Sequence, residues 1–171
     1  MLILVSGGSA SGKSKYAEDL VVKAPPGERI YVATMQVWDE ESRRRVERHR
    51  AMRAGKGFRT EEQPVHLSEM PVPAGAVVLL EDLSNLTANE WFGPAGPAGA
   101  EERVLSGIKK LQREAACTVV VTNELFSDGI PYDEETADYL AALARLNGAI
   151  AARADQVYEV VCGIPVCWKG A

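Results

Sequence analysis

The chain has 171 residues, which suits one compact domain over 1–171 and leaves little room for a second independent core. Apolar residues make up 46% and charged residues 25%, which excludes disordered and fibrous classes. The formal charge of −5, from 19 Lys plus Arg against 24 Asp plus Glu, offers no general basic field for nucleic acid. No nucleic-acid partner is expected, and any polyanion site has to be local.

The apolar run Met1 to Val5 is far shorter than the roughly 20 residues that cross a bilayer, and no basic leader or small-residue cleavage site accompanies it. Cys117, Cys162 and Cys167 lack the paired spacing of a zinc site, and their odd number suits a reducing compartment. A cytoplasmic protein without a membrane span is expected.

Leu2 to Ser6 is a continuous apolar run ending in glycines, the pattern of a strand buried on both faces. A helix is predicted from Lys13 to about Lys23. Further strand-like runs occur at Arg29 to Thr34, Ala76 to Asp82, Thr118 to Asn123 and Gln156 to Val161, with spacers long enough for crossover helices. Such alternation implies an α/β fold. Cys162-Gly163 then introduces Ile164 to Trp168, read as a C-terminal hairpin that adds an antiparallel edge.

Three segments break the alternation. Gln36 to Thr60 places Asp39, Glu40 and Glu41 before Arg43, Arg44, Arg45, Arg48, Arg50 and Arg53, the charge order favoured by a helix dipole, and this helix is expected to stop before Gly55. Phe92 to Ala100 is rich in Gly and Pro and reads as a mobile connection or lid. Phe126 to Pro131 is a loop after the fourth run, and Glu134 to Ala154 has the spacing of a long amphipathic packing helix.

The strongest chemical signal is Gly7-Gly8-Ser9-Ala10-Ser11-Gly12-Lys13-Ser14, which fits G-x-x-x-x-G-K-[ST] between a strand and a helix. Glycines let the backbone curl so that its N–H groups face phosphate oxygens, and the following helix N-terminus adds a favourable dipole. Lys13 is expected to neutralise β- and γ-phosphate charge, and Ser14 to offer its hydroxyl to Mg²⁺. Glu81 and Asp82 end the run Val77 to Asp82 at the sheet edge where ligands bind, and either carboxylate suits the metal. Asn123-Glu124 holds the equivalent place on the next run and suits a ligand contact or a turn.

His49 lies among the arginines, and in a helix Arg45, His49 and Arg53 share one stripe. Flanking guanidiniums favour the neutral imidazole, which can attack phosphorus while the cations grip phosphate oxygens. The same pattern also fits a solvated helix face. His66 has no acidic or histidine neighbours in sequence and reads as structural.

Taken together, LILVSGGSASGKSKYAE, YVAT at Tyr31 to Thr34, RVERHRAMR at Arg45 to Arg53, VVLLEDLSNLTAN at Val77 to Asn89, VVVTNE and RLNGAIAARADQVYEVVCGIPV occur in a specific order. Over nearly the whole chain this resembles the bifunctional adenosylcobinamide kinase and adenosylcobinamide-phosphate guanylyltransferase family of cobalamin biosynthesis. The resemblance implies a P-loop NTPase with a RecA-like, mostly parallel sheet. It implies phosphorylation of adenosylcobinamide with ATP or GTP, then transfer of GMP to the phosphate, giving adenosyl-GDP-cobinamide.

By the same resemblance His49 carries GMP, and nucleotide contacts fall on Gly7 through Ser14, on Ala33, Thr34 and Met35, on Arg50, Ala51, Met52 and Arg53, and on Glu62 and Glu81. Ser14 and Glu81 are the implied metal ligands, for Mg²⁺. A homo-oligomer, as in the family's trimers, is expected. The sequence departs from the family after the histidine block, where it reads Met52-Arg53-Ala54-Gly55-Lys56, and at Asp82, where an uncharged residue is common. A different small-molecule P-loop kinase, or a nonenzymatic nucleotide-binding regulator, would share Lys13, Ser14 and Glu81 but would not need His49.

Overall fold

The computed structural model describes residues 1–36, 40, 44, 46–47, 51, 53–127 and 129–170. Among them, strands β1 (Leu2–Gly7), β2 (Arg29–Ala33), β3 (Phe58–Glu62), β4 (Val77–Glu81), β5 (Cys117–Asn123), β6 (Gln156–Val161) and β7 (Ile164–Lys169) form one sheet. Its order is β3-β2-β4-β5-β1-β6-β7, parallel throughout except for β7, which runs antiparallel to β6. Helices α1 (Lys13–Lys23), α2 (Leu83–Phe92), α3 (Ala100–Glu114) and α4 (Glu134–Arg153) flank it.

Alternation along the central strands divides the core into two layers. Ile3, Val5, Leu79 and Val121 face Ala17 and Val21 of α1. Leu4, Leu80 and Val120 face the other way, against Leu83 and Leu86 of α2, Ile108 of α3 and Leu143 of α4. Burial on both sides explains the unbroken apolar runs of β1, β4 and β5. Each fully buried leucine, such as Leu79 or Leu80, contributes about 2 kcal/mol.

Helix caps aim the site. Asp82 closes the N-terminus of α2 by accepting from Asn85 N, and Asp133 caps α4 by accepting from Thr136 N. Asn89, near the far end of α2, donates to Thr34 O and Pro64 O, just beyond the ends of β2 and β3. Asn89 thus ties the far end of α2 to the carboxyl ends of β2 and β3.

Every strand expected from the sequence is present, and the C-terminal hairpin forms. Strand β3 was not anticipated: its residues Phe58-Arg59-Thr60-Glu61-Glu62 carry no apolar run, because an edge strand buries only part of one face. The described residues of the arginine-rich segment, Glu40, Arg44, Val46, Glu47, Ala51 and Arg53, are helical, and a turn begins at Ala54. The rest of that expected helix lies outside the described residues. The supposed mobile connection after Phe92 is fastened by Arg103, which donates to Gly96 O, Ala98 O and Glu90 O and pairs with the buried Glu90 carboxylate at 2.6 Å. Gly96 N and Ala100 N close turns on Gly93 O and Pro97 O. Among the described residues no helix is long and apolar enough to cross a membrane.

Candidate nucleotide site at the carboxyl edge

Strand β1 ends at Gly7, and the chain curls through Gly8 to Gly12 into α1. A Cβ on Gly7 would lie 2.6 Å from Ser11 Oγ and 2.7 Å from Val160 O, so no larger residue fits. Ala10 (φ 56°) and Gly12 (φ 94°) turn the backbone through the left-handed region. Ser11 N closes the curl on Gly8 O at 3.2 Å. Gly12 supplies no side-chain cap to α1, so the amides of its first turn stay open to an anion. Ser11 Oγ is buried against Gly7 with no hydrogen-bond partner among the described residues.

Lys13 is only 8% exposed and spans the loop, its Nζ donating to Gly8 O at 3.0 Å. Desolvation lowers its pKa, and the charges of Asp82 and Glu81 oppose that shift. Ser14 Oγ donates to Glu81 Oε1 at the end of β4. Burial pushes the Glu81 carboxyl up to about 7, against the lowering effect of the Ser14 hydrogen bond; nearby Asp82 and Glu18 push it further up.

The two carboxylates at the end of β4 have separate roles. Asp82 accepts from Asn85 N (2.7 Å), Ser84 Oγ (2.6 Å), Asn85 Nδ2 (3.1 Å) and Asn123 Nδ2 (3.1 Å), and so is consumed in fixing α2 to β5. Glu81 faces the phosphate loop. Ser14 Oγ and Glu81 Oε1 thus converge on one point beside Lys13, and two protein oxygens are a sufficient set for Mg²⁺ that keeps phosphate and water ligands. The residues present fit that ion.

Thr34 is fully buried and locks β2 to this edge: its Oγ1 donates to Asp82 O at 2.9 Å and accepts from Asp82 N at 2.8 Å. Ala33 pairs in register with Glu81 on one side and Glu62 on the other, so Ala33, Thr34, Met35 and Glu62 all lie on the carboxyl edge. Arg53 is placed differently. Its guanidinium stacks 3.3 Å from the centroid of the Tyr31 ring, in the layer that holds α1. Its Nη1 is buried with no hydrogen-bond partner among the described residues. Arg53 also borders an open cleft of about 430 Å³ with Phe58 and Thr60 of β3. Ala51 is exposed, whereas His49, Arg50 and Met52 lie outside the described residues.

One contributor goes beyond the residues expected from the sequence. The turn between β6 and β7 backs the phosphate loop, with Gly163 N donating to Ser11 O at 2.8 Å; the only hint was the adjacency of Cys162-Gly163 to a strand beside β1. Asn123, a weak candidate by position alone, ties Asp82 to Ser84 by donating to both. Glu124 plays the turn role, accepting from Phe126 N and Ser127 Oγ. The backbone N–H of His66 donates to Glu90 Oε1 at 2.6 Å.

A family model described as cobinamide kinase / cobinamide phosphate guanyltransferase matches residues 3–168. The chain belongs to this family. It is 34% identical to the bifunctional adenosylcobalamin biosynthesis protein CobU of Escherichia coli K12, across 97% of this chain and 98% of that one. It is 32% identical to the corresponding protein CobP of Pseudomonas aeruginosa, across 98% and 96%. As a member of the cobinamide kinase / cobinamide phosphate guanyltransferase family, the chain is a bifunctional nucleotide-using transferase.

Similarity to solved structures shows the fold alone. A KaiC-like protein from Pyrococcus horikoshii OT3 aligns at TM-score 0.51 and 11% identity, over 92% of this chain and 71% of that one. The flagellar accessory protein FlaH from Methanocaldococcus jannaschii aligns at TM-score 0.50 and 13% identity, over 98% and 77%. The shared architecture is the mostly parallel sheet flanked by helices.

Proposed function

We propose that one triphosphate site, cradled by Gly7 to Ser14, serves both reactions of this family: phosphorylation of adenosylcobinamide, and transfer of GMP through His49 to the resulting phosphate. The observation that carries the reading is the convergence of the buried Lys13, Ser14 Oγ and Glu81 Oε1 at the mouth of the loop. Open amides of α1 supply further donors for phosphate oxygens. Ser14 and Glu81 hold Mg²⁺, which when bound screens charge on the phosphate chain.

In the kinase step the aminopropanol hydroxyl of adenosylcobinamide attacks the γ-phosphorus of ATP or GTP. A new O–P bond forms, the bridging bond breaks with its electron pair leaving on the nucleoside diphosphate, and the hydroxyl proton passes to solvent. The chain contributes positioning and cationic donors, Lys13 foremost. In the transfer, the neutral imidazole of His49 attacks the α-phosphorus of GTP and pyrophosphate leaves. A phosphate oxygen of adenosylcobinamide phosphate then displaces the imidazole, giving adenosyl-GDP-cobinamide and restoring His49. Ala33, Thr34, Met35, Arg50 through Arg53 and Glu62 are the proposed further nucleotide contacts.

GTP labelled at the α-phosphate should give an acid-labile, alkali-stable adduct that His49→Ala lacks. Wild-type protein that binds GTP yet takes up no α-label would sink the transfer half. Phosphorylation of adenosylcobinamide by γ-labelled nucleotide tests the kinase half separately.

Exposed Ile164, Val166 and Trp168 on edge strand β7 support association of copies, a trimer as in the resemblance, which sedimentation of Trp168→Glu against wild type checks. The three free cysteines suit a reducing cytoplasm.

A further inference from the structure

Among the described residues the two flanks of the phosphate loop differ. On the β6 side, the turn between β6 and β7 presses on it: Gly163 N bonds Ser11 O, and a Cβ on Gly12 would lie 3.3 Å from Gly163 Cα. On the other side β5 brings Asn123 level with Gly7, and Glu124 N donates to Gly7 O at 3.0 Å. Among the described residues the side over β5, α2 and the connection from β5 to α4 is an approach that the β6–β7 turn leaves to a bulky acceptor of a nucleotide held by Gly7 to Ser14.

Several large apolar side chains are exposed on that side. Phe126, Ile130 and Tyr132 on the connection are 45%, 58% and 42% exposed, and Phe92, the last residue of α2, is 50% exposed. The ring of Phe92 lies 5.5 Å from that of Tyr139 in the second turn of α4, and Tyr139 OH donates to Ser84 O in α2. Tyr132 directly precedes Asp133, the cap of α4. Glu124 Oε1 folds the start of the connection by accepting from Phe126 N at 2.9 Å. Through Tyr139 and Ser84 the Phe92 end of this flank is linked to Asp82 and Asn123, the polar cluster at the strand ends beside the phosphate loop. Soluble proteins rarely leave several large apolar side chains exposed together beside a site unless a ligand or partner covers them.

We propose that Phe92, Phe126, Ile130 and Tyr132 are the docking surface for the corrinoid acceptor, taking the broad apolar face of the macrocycle while its hydroxyl-bearing arm extends toward the phosphate loop. The inference rests on reading this chain as an adenosylcobinamide kinase. A corrin ring is a wide disc with apolar faces and an amide-bearing rim, matched by flat aromatic side chains bordered by polar strand ends. The apolar residues of β7 lie on the far edge of the sheet, beyond the flank that the β6–β7 turn closes.

The test compares wild type with Phe126→Ser, Ile130→Ser and the double variant, with Phe126→Leu as the apolar replacement. Each is assayed for adenosylcobinamide KM, for α-GTP labelling without corrinoid, and for mass by sedimentation. Expected is a rise in corrinoid KM of about 10-fold for the double variant, from lost contact area. Phe126→Leu should stay near wild type, with labelling and mass unchanged in every variant. An unchanged corrinoid KM in labelling-competent variants overturns the docking surface and leaves the parent reading intact. A fall in sedimenting mass with unchanged KM also overturns it, making the patch an interface between copies. Wild-type protein that labels with GTP but never phosphorylates adenosylcobinamide overturns the kinase reading, and the docking surface with it.

Discussion

Replacing Glu81 with glutamine keeps the size of the side chain and removes its charge, which isolates the electrostatic cost of a carboxylate at the end of β4. Burial raises its pKa from 4.5 to about 7 in the folded chain. Below about pH 4.5 both folded and unfolded chains hold the proton, and the group has no effect on stability. Between the two values the unfolded chain loses its proton while the folded one keeps it, so stability falls as pH rises. Above about pH 7 the full cost is present. At about 1.4 kcal/mol per pH unit the gap corresponds to about 3 kcal/mol. Nucleotide-free Glu81→Gln should therefore match wild type in urea unfolding near pH 4.5 and exceed it by about 3 kcal/mol near pH 8. Adding Mg²⁺ and GTP should stabilise wild type strongly and the variant weakly, since the amide is a poor ligand for a hard cation. Unfolding free energies of the two proteins that stay parallel from pH 5 to pH 8 would refute the reasoning.

Lys13→Ala removes the cation that spans the phosphate loop and should lower both kinase and labelling rates by roughly 100-fold, read by initial rates with γ- and α-labelled nucleotide. Lys56 pairs with Glu18, which is only 2% exposed, so Lys56→Ala should cost about 2 kcal/mol in urea unfolding by stranding a buried carboxylate. Adding Glu18→Gln should recover much of that loss. Gly163 sits at φ 80°, so Gly163→Val should cost about 1–2 kcal/mol of stability. The same change should raise the Kd for GTP by displacing the bond to Ser11 O, measured by calorimetry.

The resemblance in motif order was enough to name the family because its blocks lie on strand ends and loops, where chemistry restricts residue choice more than packing does. Strand β3 escaped notice for the converse reason: Arg59 and Glu61 pair with each other on an edge, and such charges leave no hydrophobic period to read. Arg53 is a nucleotide contact by resemblance, and its guanidinium stacks on Tyr31, a neighbour 22 positions away that no local pattern signals.

By itself the sequence determined the phosphate loop, the buried strands and the helix that follows the loop, because glycine content, apolar runs and cap residues act over a few neighbouring positions. Its length predicted a single domain, and its weakly acidic total of −5 implied that any grip on a polyanion is local. Only the tertiary structure decided between Glu81 and Asp82 as partner of Ser14: side chains of successive residues at a strand end diverge, and which one meets α1 depends on how β4 lies beside β1 and β5. It also decided which flank of the loop the β6–β7 turn covers. That follows from β6 and its turn packing against Ser11, a contact between residues more than 150 positions apart.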